Sequence, residues 1–403
     1  MKSEWTYRPL GELVSFASGG TPSKKRDDYW DGTIPWISAK TLKTENIDTS
    51  DLFITEEGLK AGSKIAPKGS ILLLTRGSGL FNGIPIARVE KDVAFNQDIK
   101  CLDSYGEVEN EFIFYWLLSQ KDYLMAKVGV TGIGAGKFDL DFLQKLMIPI
   151  PSERERKSIV GFASSISEKI RCNAKVNENL QQQLRTIFKA EFTDNPELEN
   201  ITQIPLSELC HVVTKGTTPT TLGKPFVESG INFIKAESIL DNHSIDKSKF
   251  AFIDEETNAL LKRSIIHVGD VVFTIAGTLG RFALIDENVL PANTNQAVAI
   301  IRADVEKVLP EYIYTCFIGE WHTDYYAKRV QQAVQANLSL TTIKSLPIPL
   351  LDEAKMSEYL SLILPLIKAI KTNEAQNEKL AALRDNLLPK LMSGEIDVSN
   401  LQL

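Results

Sequence analysis

The chain has 403 residues, 43% of them hydrophobic and 24% charged, with a formal net charge of -7 and a pI near 5.4. That composition places it among ordinary globular proteins of two to four domains, and its acidity argues against a protein that coats nucleic acid non-specifically. A specific DNA binder with local basic residues is not excluded. The four cysteines, Cys101, Cys172, Cys210 and Cys316, form no CxxC pair. Neither a disulfide framework nor a zinc site is expected, and a reducing, cytoplasmic setting fits. Met1 is followed by no apolar signal core, and no apolar run reaches the roughly 18 residues of a membrane span.

Pro9-Leu10-Gly11-Glu12-Leu13 opens the first segment, followed by the turn Gly19-Gly20-Thr21-Pro22 and a polar, basic loop over 23–31. Strand-like runs follow at 34–38 and 71–75, the second led in by Lys68-Gly69-Ser70. Arg76-Gly77-Ser78-Gly79 then makes a loop, and Asn96-Gln97 comes later. Residues 111–118, EFIFYWLL, predict a buried helix, 129–136 a Gly-rich turn region, and Ile148-Pro149-Ile150-Pro151 closes the segment. From Ser152 to Phe192 apolar residues recur at heptad spacing: Ile159, Ile166, Leu180 and Ile187, with Phe162, Val176 and Ala190 three residues on, and Ile170 and Leu184 widening the stripe. This predicts a long amphipathic helix with a coiled-coil seam, which needs a partner.

After the stop cluster Asp194-Asn195-Pro196 the same order returns. Pro205-Leu206-Ser207-Glu208-Leu209, Gly216-Thr217-Thr218-Pro219, residues 231–236, residues 269–273, Asn295-Gln296, Tyr312-Ile313-Tyr314 and Leu346-Pro347-Ile348-Pro349 echo the first segment in sequence. Their offset stays between roughly 196 and 200. One echo is weak; an unbroken series at near-constant offset marks a tandem duplication. A second helix at 352–391 supplies the partner, with Tyr359, Leu366, Leu380 and Leu387 in register and Leu362, Ala369 and Leu383 three residues on. The polar member of each series is Asn173 in one copy and Asn373 in the other. Asparagine in an apolar seam fixes register, so antiparallel packing predicts the two asparagines near each other. Pro365 should kink the second helix or delay its start.

The expected architecture is therefore α+β, with α/β-type globular units. Two tandem pseudosymmetric domains, 1–151 and 195–350, are separated by two long helices, 152–194 and 351–395, which form an antiparallel coiled coil; a tail follows at 396–403.

No catalytic constellation emerges. Gly132–Lys137 mimics a phosphate loop but has Thr131 where glycine is required and Phe138 where Ser or Thr must meet magnesium. His211, His243, His267 and His322 form no metal-ligand spacing, and Asp352-Glu353 reads as a helix opening favoured by the dipole. Neither a GxSxG elbow nor an Asn/Asp-Pro-Pro-aromatic methyltransferase signature is present. What remains is recognition chemistry at matching places in the two halves. The first copy offers Lys24, Lys25, Arg26, Tyr29, Lys40, Arg76, Ser78, Asn96 and Gln97. The second offers Lys215, Thr217, Thr218, Thr220, Lys224, Lys235, Thr278, Arg281, Asn293, Asn295 and Gln296. Lysine and arginine suit phosphates, and the amides suit adenine edges, although a solvated loop or a tied turn explains any one of them equally well. A repeated framework carrying different loops is what two readers of two different half-sites would need.

The paired openings PLGELVSFASGGTP and PLSELCHVVTKGTTP, the strands IPWISAKTL and INFIKAESI, the IPIP and LPIP closures, the helices after them and the ending LRDNLLPKLMSGEIDV resemble the specificity subunit of type I restriction–modification systems. The resemblance implies that each globular unit is a target recognition domain for one half of a bipartite sequence in double-stranded DNA. It implies helices that set the spacing and dock modification subunits, two of them, with restriction subunits joining. S-adenosylmethionine, ATP and Mg2+ would sit on those partners, none on this chain, which would be non-catalytic. Base contacts cannot be carried over, since the loops are the family's variable part. A specificity subunit of another multisubunit restriction system, or a pseudosymmetric scaffold that never touches DNA, stays open. Two positive concave patches would favour the DNA reading and a uniformly negative surface the scaffold. At about 1.5 Å per residue, some 40 residues span roughly 60 Å, so inserting helical turns should lengthen the recognised spacer.

Overall fold

A computed structural model describes residues 5–132, 134–195, 201–323, 325–326 and 337–398, so Pro196 and the end of the tail lie outside the described residues. The chain divides into two compact units, Met1–Lys169 with Lys379–Leu403, and Ile170–Glu378. Both divisions fall inside the long helices, Glu153–Phe192 and Glu353–Met392, so each unit holds one globular domain and half of each helix.

In the first unit a five-stranded sheet runs in the order Val14–Ser18, Ile99–Ser104, Ile71–Leu74, Ile86–Val89, Asn46–Ile47. Its pairs are antiparallel except the last. A smaller sheet places Trp30–Ile37 parallel to Val93–Phe95. The second unit repeats this plan. Cys210–Lys215, Val298–Ala303, Val271–Thr274 and Phe282–Leu284 form an antiparallel sheet in that order. Ile231–Ile234 again lies parallel to Ala292–Thr294. Mostly antiparallel sheets with helices packed beside them define an α+β unit in each copy.

The helix Asn110–Ser119 is buried from Phe112 through Leu118, and Pro310–Ile318 from Tyr312 through Ile318. A helix apolar on all sides survives only inside a core, so each sits between its sheet and the long helices. The Pro-flanked motifs close each domain. Thr6–Pro9 pairs with Met147–Ile150, and Gln203–Pro205 with Pro347–Pro349. Proline cannot donate to a ladder, and a two-stranded ribbon is all edge, so it tolerates these residues. The ribbon returns the end of each domain to its beginning and launches the long helix from there.

Ser152 caps the first long helix: its backbone N–H donates to Glu155 Oε2 at 2.9 Å, and its hydroxyl does so at 2.6 Å. Asp352 Oδ1 accepts from Lys355 N at 2.9 Å at the start of the second. That helix runs unbroken from Glu353 through Pro365, so it does not start late. Pro365 is exposed, and water can serve the Ser361 carbonyl that has lost its intrahelical donor.

The two helices pack antiparallel in each unit. In the first, Trp5 reaches Glu155 and lies against Gly394, while Ser167 meets Arg384. In the second, Asn173 meets Asn377, Asn177 meets Asn373, and the Phe192 and Tyr359 rings are 5.3 Å apart. The seam itself corrects the expectation. It pairs Ile159 with Ala163, Ile166 with Ile170, Asn173 with Asn177 and Tyr359 with Ile363, four residues on rather than three. Val176, Leu362 and Leu383 are 41%, 52% and 46% exposed, and Ala190 also faces solvent. At 3.6 residues per turn either offset keeps two positions near one face, and polar Asn177 concealed the true one. Asn173 and Asn373 accordingly do not bond each other; each bonds the asparagine one turn along from the other.

Candidate nucleic-acid interface

The Gly-Thr-Pro turns and the Asn-Gln turns, far apart in sequence, meet at one end of the main sheet in each unit. In the first, Gly20 N donates to Phe95 O at 2.9 Å, and a Cβ on Gly19 would stand 2.0 Å from that same carbonyl oxygen. In the second, Gly216 N donates to Asn295 O at 3.1 Å, and a Cβ there would stand 1.8 Å from Thr294 O. Only glycine allows that approach. The threonine before the turn proline then reaches across. Thr21 Oγ1 donates to Gln97 Oε1 at 2.7 Å, and Thr218 Oγ1 donates to Gln296 Oε1.

This arrangement separates the amide candidates. Asn96 is 6% exposed, and its Oδ1 accepts from Asp98 N at 3.2 Å. Asn293 is fully buried, donating to Asn258 Oδ1 at 2.8 Å and to Leu261 O at 3.2 Å while accepting from Thr294 N. Asn295 Oδ1 accepts from Ala297 N at 3.0 Å. Asn96 and Asn293 therefore leave the set of base-edge readers: their polar atoms are spent inside the fold. Gln97 and Gln296 remain exposed.

The basic candidates separate as well. Arg26 forms a two-pronged pair with Asp28 at 2.7 and 2.6 Å and lies over the Tyr29 ring at 4.7 Å. The hydrogen bond from Arg26 holds the Asp28 carboxyl below its ordinary value. Arg281 is held likewise by Asp241 at 2.6 and 2.7 Å. Lys224 pairs with Glu256 at 2.7 Å and Lys235 with Glu237 at 3.1 Å. Each would have to leave a carboxylate to take a phosphate. Lys24, Lys25, Lys40, Arg76 and Lys215 carry no ion pair among the described residues. Ser78, Thr220 and Thr278 are exposed. Thr217 Oγ1 lies 3.5 Å from an Arg263 nitrogen, and the Thr278 carbonyl accepts from Thr274.

Register adds cations that sequence patterning missed. Arg76 stands opposite Lys137 in the short ladder beside the Asn-Gln turn, and both are exposed. Like charges on one rung repel unless an anion or solvent shields them. The Gly-rich stretch before Lys137 forms a hairpin, with Gly129–Val130 paired to Gly136–Lys137, and so is no phosphate loop. Lys100 stands opposite Ser18 and donates to its hydroxyl. Burial, reinforced by the charge of Lys64, lowers its ammonium below the ordinary lysine value against the opposing pull of Asp98. Among the described residues no group of His, Cys, Asp and Glu could hold a metal ion, and no helix is long and apolar enough to cross a membrane.

A duplicated α+β domain with a constant frame and divergent loops, each followed by a long helix, defines the class of tandem recognition-domain proteins. The chain belongs to the type I restriction modification DNA specificity domain family, whose model matches it twice, over residues 2–182 and 199–382. It is 26% identical over 425 aligned residues to the specificity subunit of the type I restriction enzyme MjaIX of Methanocaldococcus jannaschii, covering 99% of this chain and 95% of that one. It is 31% identical over 161 residues to the EcoR124I/EcoR124II specificity subunit of Escherichia coli, covering 40% of each. Its fold is similar to the crystal structure of a type I restriction-modification S subunit from M. genitalium, with a TM-score of 0.52, 16% identity and 96% of each chain covered.

Proposed function

We propose that this chain is the specificity subunit of a type I restriction–modification complex, in which each globular domain reads one half of a bipartite target in double-stranded DNA. The observation that carries this reading is the doubled family domain with a shared turn frame and unrelated loops. Residues 23–31 read SKKRDDYWD, whereas 220–226 read TTLGKPF at the corresponding place. One frame with two loop sets suits two half-sites of different sequence. The helix pair links the two readers, and its outer face, with Glu153, Arg154, Arg156 and Lys169, offers a docking surface for partners. Arg156 serves that face least: it is 9% exposed and held by Glu109 at 2.8 Å.

Two modification subunits would methylate the target and restriction subunits would join them in the cytoplasm. S-adenosylmethionine, ATP and Mg2+ would reside on those partners, and this chain would contribute recognition without catalysis. The test is a domain exchange. Replacing residues 1–151 by the corresponding domain of a relative, then mapping methylated sites in cells carrying the whole system, should change one half-site and spare the other. A change in both halves, or in neither, would defeat the modular reading.

A further inference from the structure

We propose that Gln97 with Lys100, and Gln296 with Lys215, form one DNA-backbone clamp in each unit, which holds phosphates and has no preference among bases. The proposal rests on the DNA reading above and assigns these residues a role within it.

Three observations carry it. First, each glutamine amide is tied through its oxygen to the turn threonine. A glutamine reads adenine by offering one acceptor and one donor together. In both units the threonine hydroxyl takes one of the two lone pairs of Gln Oε1 and pins the amide, while the exposed glutamine keeps both Nε2 donors without a partner among the described residues. A pinned amide with two free N–H donors suits a phosphate oxygen, which only accepts. Second, the device is the same in both units while the adjoining loops are unrelated. A base reader would differ between domains that read different half-sites; a backbone contact would not.

Third, a lysine occupies the same ladder rung in both units but comes from opposite strands. Lys100 stands across from Ser18, at the end of Val14–Ser18 and next to the turn glycine Gly19. Lys215 ends the equivalent strand Cys210–Lys215, next to Gly216, and stands across from Ala299. Residues opposite each other in a ladder share one face, so the charge keeps its place although the strand that carries it changes. Neither lysine is ion-paired among the described residues. A solvated lysine needs no such constancy.

The experiment uses the assembled complex and duplexes bearing its mapped target. Gln97→Leu, Lys100→Ala, Gln296→Leu and Lys215→Ala should each weaken binding about three- to thirtyfold, by the same factor on the target and on duplexes altered at single base pairs. The lysine variants should also reduce the slope of log K against log salt by about one, and the glutamine variants should leave it unchanged. Single methylphosphonate substitutions, read with wild-type protein, need no variant to fold. A phosphate whose neutralisation weakens wild type but is silent in Lys100→Ala marks the contact. A base-pair preference altered by Gln97→Leu would overturn the proposal by making Gln97 a base reader. Unchanged affinity and slope in all four variants would overturn it by reducing the clamp to turn structure. Failure of the wild-type complex to bind any target would instead strike the DNA reading itself.

Discussion

Asn173 Nδ2 lies 2.8 Å from Asn377 Oδ1 across the helix seam of the second unit. The same nitrogen reaches Gln376 Oε1 at 2.8 Å, and Asn177 Nδ2 donates to the Ile370 carbonyl at 3.2 Å. A buried polar layer of this kind is stabilising only while every member is satisfied. Asn173→Ala should therefore cost about 0.5–2 kcal/mol in urea unfolding, because it removes two hydrogen bonds, of which only the one to half-buried Asn377 leaves an acceptor shielded from water. Replacing Asn173 and Asn377 together by leucine should restore or raise stability while relaxing the choice of register. An unchanged midpoint for the single variant would mean that the layer is solvated.

A second polar commitment lies in the sheet of the same unit. Asp270 is fully buried, and Arg302 meets its carboxylate at 2.7 and 2.8 Å while donating to Ile265 O at 3.0 Å. Arg302→Met should destabilise by roughly 3 kcal/mol, since it leaves a charge buried without its partner. Arg302→Met with Asp270→Leu should recover much of that loss. Chemical unfolding of the single and double variants forms the cycle, and a double variant no more stable than the single one would contradict it.

Acid sensitivity should come partly from two histidines. His243 and His322 line a cavity of about 510 Å³ with Arg185, Phe282 and Tyr326. Burial pushes both down to about 4, with the Arg185 charge adding to the effect at His243. The unfolded chain takes up their protons first as pH falls through about 6.5. Their contribution to stability is therefore complete above that pH and lost between about 6.5 and 4, at up to about 1.4 kcal/mol per unit per histidine. His322→Phe should flatten the decline in urea stability between about pH 7 and 5 relative to wild type. Equal slopes would show that His322 takes up its proton alike in the folded and unfolded chain.

The turn glycines give the sharpest backbone prediction. Gly19→Ala and Gly216→Ala each drive a Cβ into a fixed carbonyl, at 2.0 Å and 1.8 Å. Each should destabilise its own unit by upwards of about 2 kcal/mol and open the Thr–Gln contact. Amide hydrogen exchange should show lost protection at Gly20 in the first variant, whose N–H donates to Phe95 O. Retained protection there would show that the turn yields more easily than its contacts imply.

Local signals in the sequence carried the duplication, the two long helices and the buried helices at Asn110–Ser119 and Pro310–Ile318. Each rests on periodicity or on short-range chemistry, such as Ser152 with Glu155, which neighbouring residues already contain. Even the cancellation of Arg26 by Asp28 spans only two residues. Tertiary structure decided what depends on distant pairing. Arg281 is neutralised by Asp241, forty positions away. Asn293 is consumed by Asn258, and the helix seam passes through Asn177 rather than Val176. The shared lysine rung exists only once Ser18 is set against Lys100 and Lys215 against Ala299. Strand register brings together residues more than eighty positions apart, and no local pattern encodes which of them will face each other.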